Sequence, residues 1–298
     1  MPEKTSRRGS DCSSKVKIGI NQFSYHRYFG EISRWETDPG TRWTVADFIR
    51  RAKCFPLDAI SFQTCYLRAS DLTLIENECR ASSLFPIIEW GHPDGLKMGT
   101  SPSAVEDLKK WLQFTSALGG KLVRVVAGYP TYRGIEPVAL QIARLVPLLR
   151  ELCHNAAELG LVLALENHGD FTPLELIELI ERVGALNLKA TFDTGNCVRL
   201  GADLISSTER IARLTEIVHL KDLVILQTSI GDPNASWPSA PLGQGMLDVS
   251  AVLRTLQNQQ FCGSVVVEMA HMHANWPDED KAVGESIVWL TSKLKEQG

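Results

Sequence analysis

LVLALEN, residues 161–167, reads as a strand that closes on a carboxylate, and three later runs repeat the device: LKATFDT (188–194), EIVHLKD (216–222) and SVVVEMA (264–270). Alternate side chains of a barrel strand point inward, so a functional residue near its C-terminal end shares parity with small or polar inner residues. Glu166 falls in phase with Val162 and Ala164, while Leu161, Leu163 and Leu165 form the opposite set, facing helices. Asp193 is in phase with Thr191, His219 with Ile217 and Lys221, and Glu268 with Ser264 and Val266. A carboxylate inside an apolar run is costly to desolvate unless it is paired or holds a cation. Three carboxylates and an imidazole at equivalent depth on four strands converge on one point, and a divalent metal resolves that cost. This oxygen-rich set suits Mn²⁺ first, with Mg²⁺, Co²⁺ or Zn²⁺ as alternatives, and differs from a thiolate-bound structural zinc site.

Four more strands precede these: KIGIN from Lys17, AISFQ from Ala59, FPIIEW from Phe85 and LVRVVAG from Leu122. Between the strands lie stretches of helical period, such as VADFIRRAKCF, SAVEDLKKWLQFTSALG and VALQIARLVPLLRELCHNAAELG. Helix-start signals stand at Thr44, Ser101–Pro102, Thr172–Pro173 and Asp248. Strand and helix alternating eight times predict an α/β fold, a single (β/α)₈ barrel over residues 17–298. An open doubly wound sheet fits less well, because no GxGxxG turn follows the first strand. The longest connection, Leu223 to about Leu247, is rich in Pro, Ser and Gly and is expected to lie over the mouth as a lid.

The chain has 298 residues, 44% hydrophobic and 22% charged, enough apolar material for one barrel core. Its formal net charge of -4 gives no broad positive field, which argues against nucleic acid and acidic membranes as partners. Seven cysteines occur singly, without a CxxC pair, as expected of reduced thiols in a cytoplasmic protein. There is no apolar run of membrane-spanning length, and residues 1–16 read as a disordered polar tail.

TFDTGN, VHLKD and VVVE, with LALENH before them, resemble the sugar phosphate isomerase/epimerase superfamily of xylose isomerase-like TIM barrels, and PLGQGMLDVSAVLRTLQ resembles its PLGxG turn before the last helix. The resemblance runs from about Lys17 to the C-terminus, and its motifs are specific in order, at spacings of 27, 26 and 49 residues between the four candidate ligands. Ketose 3-epimerases, hydroxypyruvate isomerase and inosose dehydratase in this superfamily place Glu, Asp, His and Glu ligands on strands five to eight. The resemblance therefore implies one metal on Glu166, Asp193, His219 and Glu268, with Glu166 and Glu268 doubling as the acid/base pair. The type IV AP endonucleases of the same superfamily resemble DTxH where this chain has Asn196, and seven histidines are too few for three zinc ions, so DNA repair is disfavoured.

A metal chelating a carbonyl oxygen and a neighbouring hydroxyl acidifies the carbon-bound proton between them by stabilising the enediolate. The expected activity is a metal-dependent isomerase or epimerase acting on a small keto-sugar or polyol-derived ketone. The alternatives are a metal-dependent lyase or dehydratase on a keto-inositol, keto-sugar or 3-keto-glycoside, and a non-catalytic sugar-binding barrel. The expected partner is a small carbohydrate, and related barrels often assemble through their helices, so a homo-oligomer is also expected. Lys221 reads as a substrate contact or a structural ion pair, His168 as a mouth residue or a loop histidine, and Asn196 as a substrate contact or a helix cap. His92 and Glu89, near the end of strand three, read as site residues or turn packing. Phe23, Tyr25 and His26 in NQFSYH read as a wall over the substrate or as core; Trp237 reads as a lid aromatic or an exposed loop residue, and Cys197 as packing.

Overall fold

Eight parallel strands close on themselves in the computed structural model, which describes residues 15–227 and 233–296. In chain order they are β1 (Lys17–Asn21), β2 (Ala59–Gln63), β3 (Phe85–Glu89), β4 (Leu122–Val125), β5 (Val162–Glu166), β6 (Leu188–Asp193), β7 (Thr215–Leu220) and β8 (Ser264–Val267). Each strand pairs with its neighbours in the sequence, and β8 returns to β1 with Lys17 opposite Ser264 and Ile20 opposite Val267. The eight-stranded barrel expected from the alternation is the observed fold. Of the tail expected over residues 1–16, residues 1–14 lie outside the described residues.

The outer layer consists of α1 (Val45–Ala52), α2 (Leu72–Ser82), α3 (Pro102–Ala117), α4 (Val138–Glu158), α5 (Pro173–Val183), α6 (Leu204–Ile211), α7 (Val249–Asn258) and α8 (Glu279–Glu296). All four helix-start signals act as caps. Thr44 and Thr172 form capping boxes with Asp47 and Glu175, while Ser101 and Asp248 accept the amides of Ala104 and Ala251.

Side-chain parity divides the core in two. Leu161, Leu163, Leu165, Val218, Leu220, Val265 and Val267 join the large apolar layer between strands and helices. A separate plug of Ala59, Ile87, Leu122, Ala164, Ile217 and Val266, with Phe85 and Val162 packed against it, fills the barrel interior. Because the plug occupies the lower half, the inner positions one register step higher are left for polar groups at the strands' C-terminal ends, where barrels of this type carry chemistry.

After β7 the chain turns at once into a two-stranded antiparallel ribbon, Asp222–Leu223 against Ser239–Ala240. The Asp222 carboxylate accepts four backbone amides, from Leu223 (2.9 Å), Gly243 (3.0 Å), Gly245 (2.9 Å) and Leu247 (3.0 Å). This arrangement explains the PLGQG sequence: Gly243 adopts φ +81°, and a Cβ at Gly245 would collide with the Asp222 carboxylate. The middle of the expected lid, residues 228–232, lies outside the described residues. Among the described residues no helix is long and apolar enough to cross a membrane.

Candidate metal centre

The closed register brings four strand ends to one depth. Glu166 ends β5, Asp193 ends β6 opposite His219 of β7, and Glu268 directly follows β8. All four are buried, none more than 4% exposed. Asp193, His219 and Glu268 each offer a ligand atom within 4.8 Å of the others, and His219 forms a second such group with Glu166 and Glu89. His219 is the hinge between the two groups.

Three further side chains counter the buried charge. Arg124, an inward residue of β4, lies with Nε 2.7 Å from both Glu89 Oε2 and Glu166 Oε2. Lys221 Nζ lies 2.7 Å from Asp193 Oδ2 and 2.8 Å from Glu268 Oε1. Glu89 ends β3, where it accepts the Ser61 hydroxyl and lies 3.0 Å from His219 Nε2. A carboxylate can only accept, so His219 carries a proton on Nε2, and its Nδ1 faces Glu268 Oε2 at 2.8 Å. Burial opposes the charged imidazolium, but Glu89, Glu268 and Glu166 together outweigh it and raise the pKa, so a cation at Nδ1 would have to displace a proton. Burial works against ionisation of Glu166, but Arg124, His168 and His219 together outweigh it and hold that carboxyl below the ordinary range. For Glu268, burial is likewise outweighed, by Lys221 and His219, and the group stays well below the usual carboxylate value. At Asp193 burial wins, and the pKa rises.

The donor set fits a divalent cation. Glu166 Oε2, Asp193 Oδ2 and His219 Nδ1 are buried atoms without a hydrogen-bond partner of acceptable geometry, although each has an oppositely charged neighbour in ion-pair range. Buried polar atoms are rarely left undirected, and these three sit on three of the four expected ligands. Hydrogen bonds already fix the surroundings. Asn21 Nδ2 donates to Glu268 Oε2 (3.1 Å) and Asn196 Nδ2 to Glu166 Oε1 (3.3 Å), while Asp193 Oδ1 caps the short helix Thr194–Arg199 through the Asn196 amide (2.8 Å).

The other expected site residues divide. Lys221 and Asn196 touch the ligand carboxylates, and His168 lies half-buried beside them, edge-on to Tyr129 at 5.0 Å; burial pushes its imidazole down to about 4. His92 stacks on Trp90 at 5.6 Å and accepts the Asp94 amide at 3.2 Å, as turn packing requires. Tyr25 corrects the expectation of a wall over the substrate: it is fully buried in the apolar layer outside the barrel, between Trp43 and Phe48, with its hydroxyl on Asp280 (2.8 Å). The strand alternation does not carry past Asn21, because a 3₁₀ segment, Gln22–Phe29, begins there and kinks at Tyr25. His26 joins Glu36 and His271 in a group separate from the four ligands. Trp237 is half-buried, its carbonyl accepting Arg199, and Cys197 is buried packing. Sequence reading missed Arg124, although a lone charge in phase with the interior of LVRVV was the available signal. It also missed Asn21, Glu36 and His271, the last two lying in irregular connections without periodicity.

Comparisons with known proteins agree with this architecture. Among solved structures, an L-ribulose 3-epimerase superposes with a TM-score of 0.73 at 19% identity, covering 94% of this chain and 95% of its own. The IOLI protein, solved with a binding zinc atom, gives 0.71 at 17% identity, covering 94% and 99%. The 3-keto-D-glucoside 4-epimerase of E. coli gives 0.70 at 18% identity, covering 93% and 100%. Among curated proteins, the 3-oxo-isoapionate decarboxylase of Pectobacterium atrosepticum is 24% identical over 173 residues, 58% of this chain. The match spans 60% of that relative's length. The family model described as xylose isomerase-like TIM barrel matches residues 67–293, which holds β3 to β8 and every ligand candidate. The chain therefore belongs to the xylose isomerase-like TIM barrel family.

Proposed function

We propose that the protein is a divalent-metal-dependent isomerase or epimerase of a small keto-sugar or polyol-derived ketone, working by proton abstraction next to a carbonyl. The observation that carries this reading is one buried cluster in which His219 joins Asp193 and Glu268 on one side to Glu166 and Glu89 on the other, with a ligand atom of Glu166, Asp193 and His219 left without a directed hydrogen bond. These four residues would hold the cation. When bound, it supplies electrophilic stabilisation of the charge that develops on a substrate carbonyl oxygen.

The protein's own groups account for the remaining requirements. Arg124 and Lys221 keep Glu166 and Glu268 ionised, so each is ready to accept a proton. They approach the barrel axis from β5 and β8, on either side of His219. Two bases at different angles to one carbon allow removal on one face and return on the other, which is epimerisation; return to the adjacent carbon is isomerisation.

A second reading is favoured by one finding, the likeness to a decarboxylase of a 3-oxo acid. Loss of carbon dioxide from a β-keto acid generates the same enolate as proton removal does, so one cation site can serve either reaction. In that case the enolate carbon takes its proton from solvent, because Glu166 and Glu268 are held ionised and have none to give. The test is solvent-deuterium incorporation into a panel of ketoses and 3-oxo sugar acids, with Glu268→Gln alongside. The isomerase reading expects exchange at the carbon next to the carbonyl and its loss in Glu268→Gln. Carbon dioxide release without exchange into ketoses would instead support the lyase.

A further inference from the structure

At the barrel mouth, between the ends of β1 and β8, a second group of metal-binding side chains stands apart from the four ligands. His26 Nε2 lies 2.9 Å from Glu36 Oε1 and 3.1 Å from Oε2, and His271 Nδ1 lies 3.4 Å from Glu36 Oε2. From this geometry we infer a second cation site, formed by His26, Glu36 and His271, that takes a zinc-like divalent ion with a coordination position open to a ligand.

His26 Nδ1 is 3.1 Å from the Phe23 carbonyl, which can only accept, so that nitrogen carries the hydrogen. Without a cation, Nε2 bears a proton that it donates to Glu36; a divalent ion can take that proton's place, because Nε2 is the only ring nitrogen left to bind it and both carboxylate oxygens face it. A backbone carbonyl fixing the far nitrogen is how ligand histidines are usually oriented. The spacing is also right. Metal–ligand bonds of about 2.1 Å in a tetrahedral site separate neighbouring ligand atoms by about 3.4 Å, close to the 2.9–3.4 Å seen here.

The surroundings are built for a bound ion. His26 is fully buried, the Glu36 side chain 4% exposed and His271 8% exposed. Phe23 stacks on His26 at 5.1 Å and Trp35 leans on His271 at 5.4 Å, which lowers the local polarity and makes an uncompensated carboxylate expensive. His271 is held at φ +56°, the left-handed region that favours glycine, and this backbone turn aims its ring back at Glu36. The Ser33 amide donates to Glu36 Oε2 at 2.9 Å and fixes the carboxylate, and the Ser33 hydroxyl lies 3.4 Å from His271 Nδ1. On the open side, Glu36 and Trp35 line a cavity of about 840 Å³ with Tyr28, Asp38, His273 and Trp276, through which an ion and a small ligand can reach the group. Two imidazoles and one carboxylate suit zinc or a neighbouring transition metal, whereas the barrel centre offers three carboxylates and one imidazole.

The test is metal stoichiometry by mass spectrometry after zinc loading and desalting, with thermal melting as a control for folding. Wild type is expected to retain two ions per chain. Glu36→Gln and His271→Asn should each retain one; asparagine tolerates the left-handed backbone, so the second variant guards against misfolding of the first. Asp193→Asn, which removes a barrel ligand, should also retain one, and Asp193→Asn combined with Glu36→Gln none. Were the barrel centre not a metal site, wild type would hold one ion, lost in Glu36→Gln and kept in Asp193→Asn, so the two assignments fail separately. Wild type holding no ion, or an ion content that is unchanged in both Glu36→Gln and His271→Asn, overturns the second site and leaves a buried histidine–carboxylate pair.

Discussion

Glu89 and His219, 130 residues apart in sequence, meet across the barrel with Glu89 Oε1 3.0 Å from His219 Nε2. The contact anchors the Nε2 proton and turns Nδ1 toward Glu268 and Glu166. Outer partners of ligand histidines are worth about 10–100-fold in metal affinity. Glu89→Ala should weaken Mn²⁺ binding by that factor while the protein stays folded, as titration calorimetry and circular dichroism would record together. Unchanged affinity would mean that His219 is oriented by something else.

Lys221 stands in ion-pair contact with two candidate ligands at once, Asp193 and Glu268. Removing one partner from a buried ion pair costs about 3–5 kcal/mol. Lys221→Met should therefore lower the melting temperature of the metal-free protein strongly. Added Mn²⁺ should recover much of the loss, giving the variant a larger metal-induced shift than wild type. Equal shifts in the two proteins would show that the cation and the lysine do not share those carboxylates.

Asp170, buried below the mouth, accepts the amides of Gly128 (2.9 Å), His168 (3.0 Å) and Phe171 (2.8 Å). Burial nonetheless raises its pKa to about 7, because desolvation outweighs those three donors. A folded pKa above the unfolded one gives stability that is complete below the unfolded value, near 3.9, and is lost as pH rises through the folded value. Between about pH 4 and 7 this group should reduce stability by about 1.4 kcal/mol per pH unit. Asp170→Asn, although less stable overall, should show a flatter urea-derived stability profile in that window. Parallel profiles would mean that Asp170 is ionised throughout.

The four amides on Asp222 make a local prediction about the turn before α7. Asp222→Ala takes the shared acceptor from the amides of Gly243, Gly245 and Leu247 together, so the turn loses the group that ties its donors to one point. The variant should be cut by protease between residues 223 and 247 well before wild type. Gly245→Ala should do the same for a steric reason, since its Cβ meets the Asp222 carboxylate. Digestion at wild-type rates in both variants would remove Asp222 as the organiser of the turn.

Much of this molecule was legible before any coordinates, for a physical reason. In a closed barrel, parity and strand order set both the height and the direction of a side chain, so Glu166, Asp193, His219 and Glu268 could be placed on one ring from alternation alone. The separation of the inner plug from the outer apolar layer is that parity made visible. Arg124 obeys the same rule and was overlooked. Tyr25 and His26 follow a strand end that passes into a kinked 3₁₀ segment, where no period carries direction forward. Glu36 and His271 come together only through the β1–β8 closure, which no local pattern announces.

That closure has a consequence for how the protein matures. Asn21, at the end of the first strand, donates to Glu268, 247 residues later, just after the last strand. During synthesis the side-chain amide of Asn21 waits for an acceptor that lies 247 residues further along the chain. Until Glu268 and His271 have been made, neither the Asp193–His219–Glu268 group nor the His26–Glu36–His271 group can be complete. Both groups therefore depend on the meeting of the first and last strands.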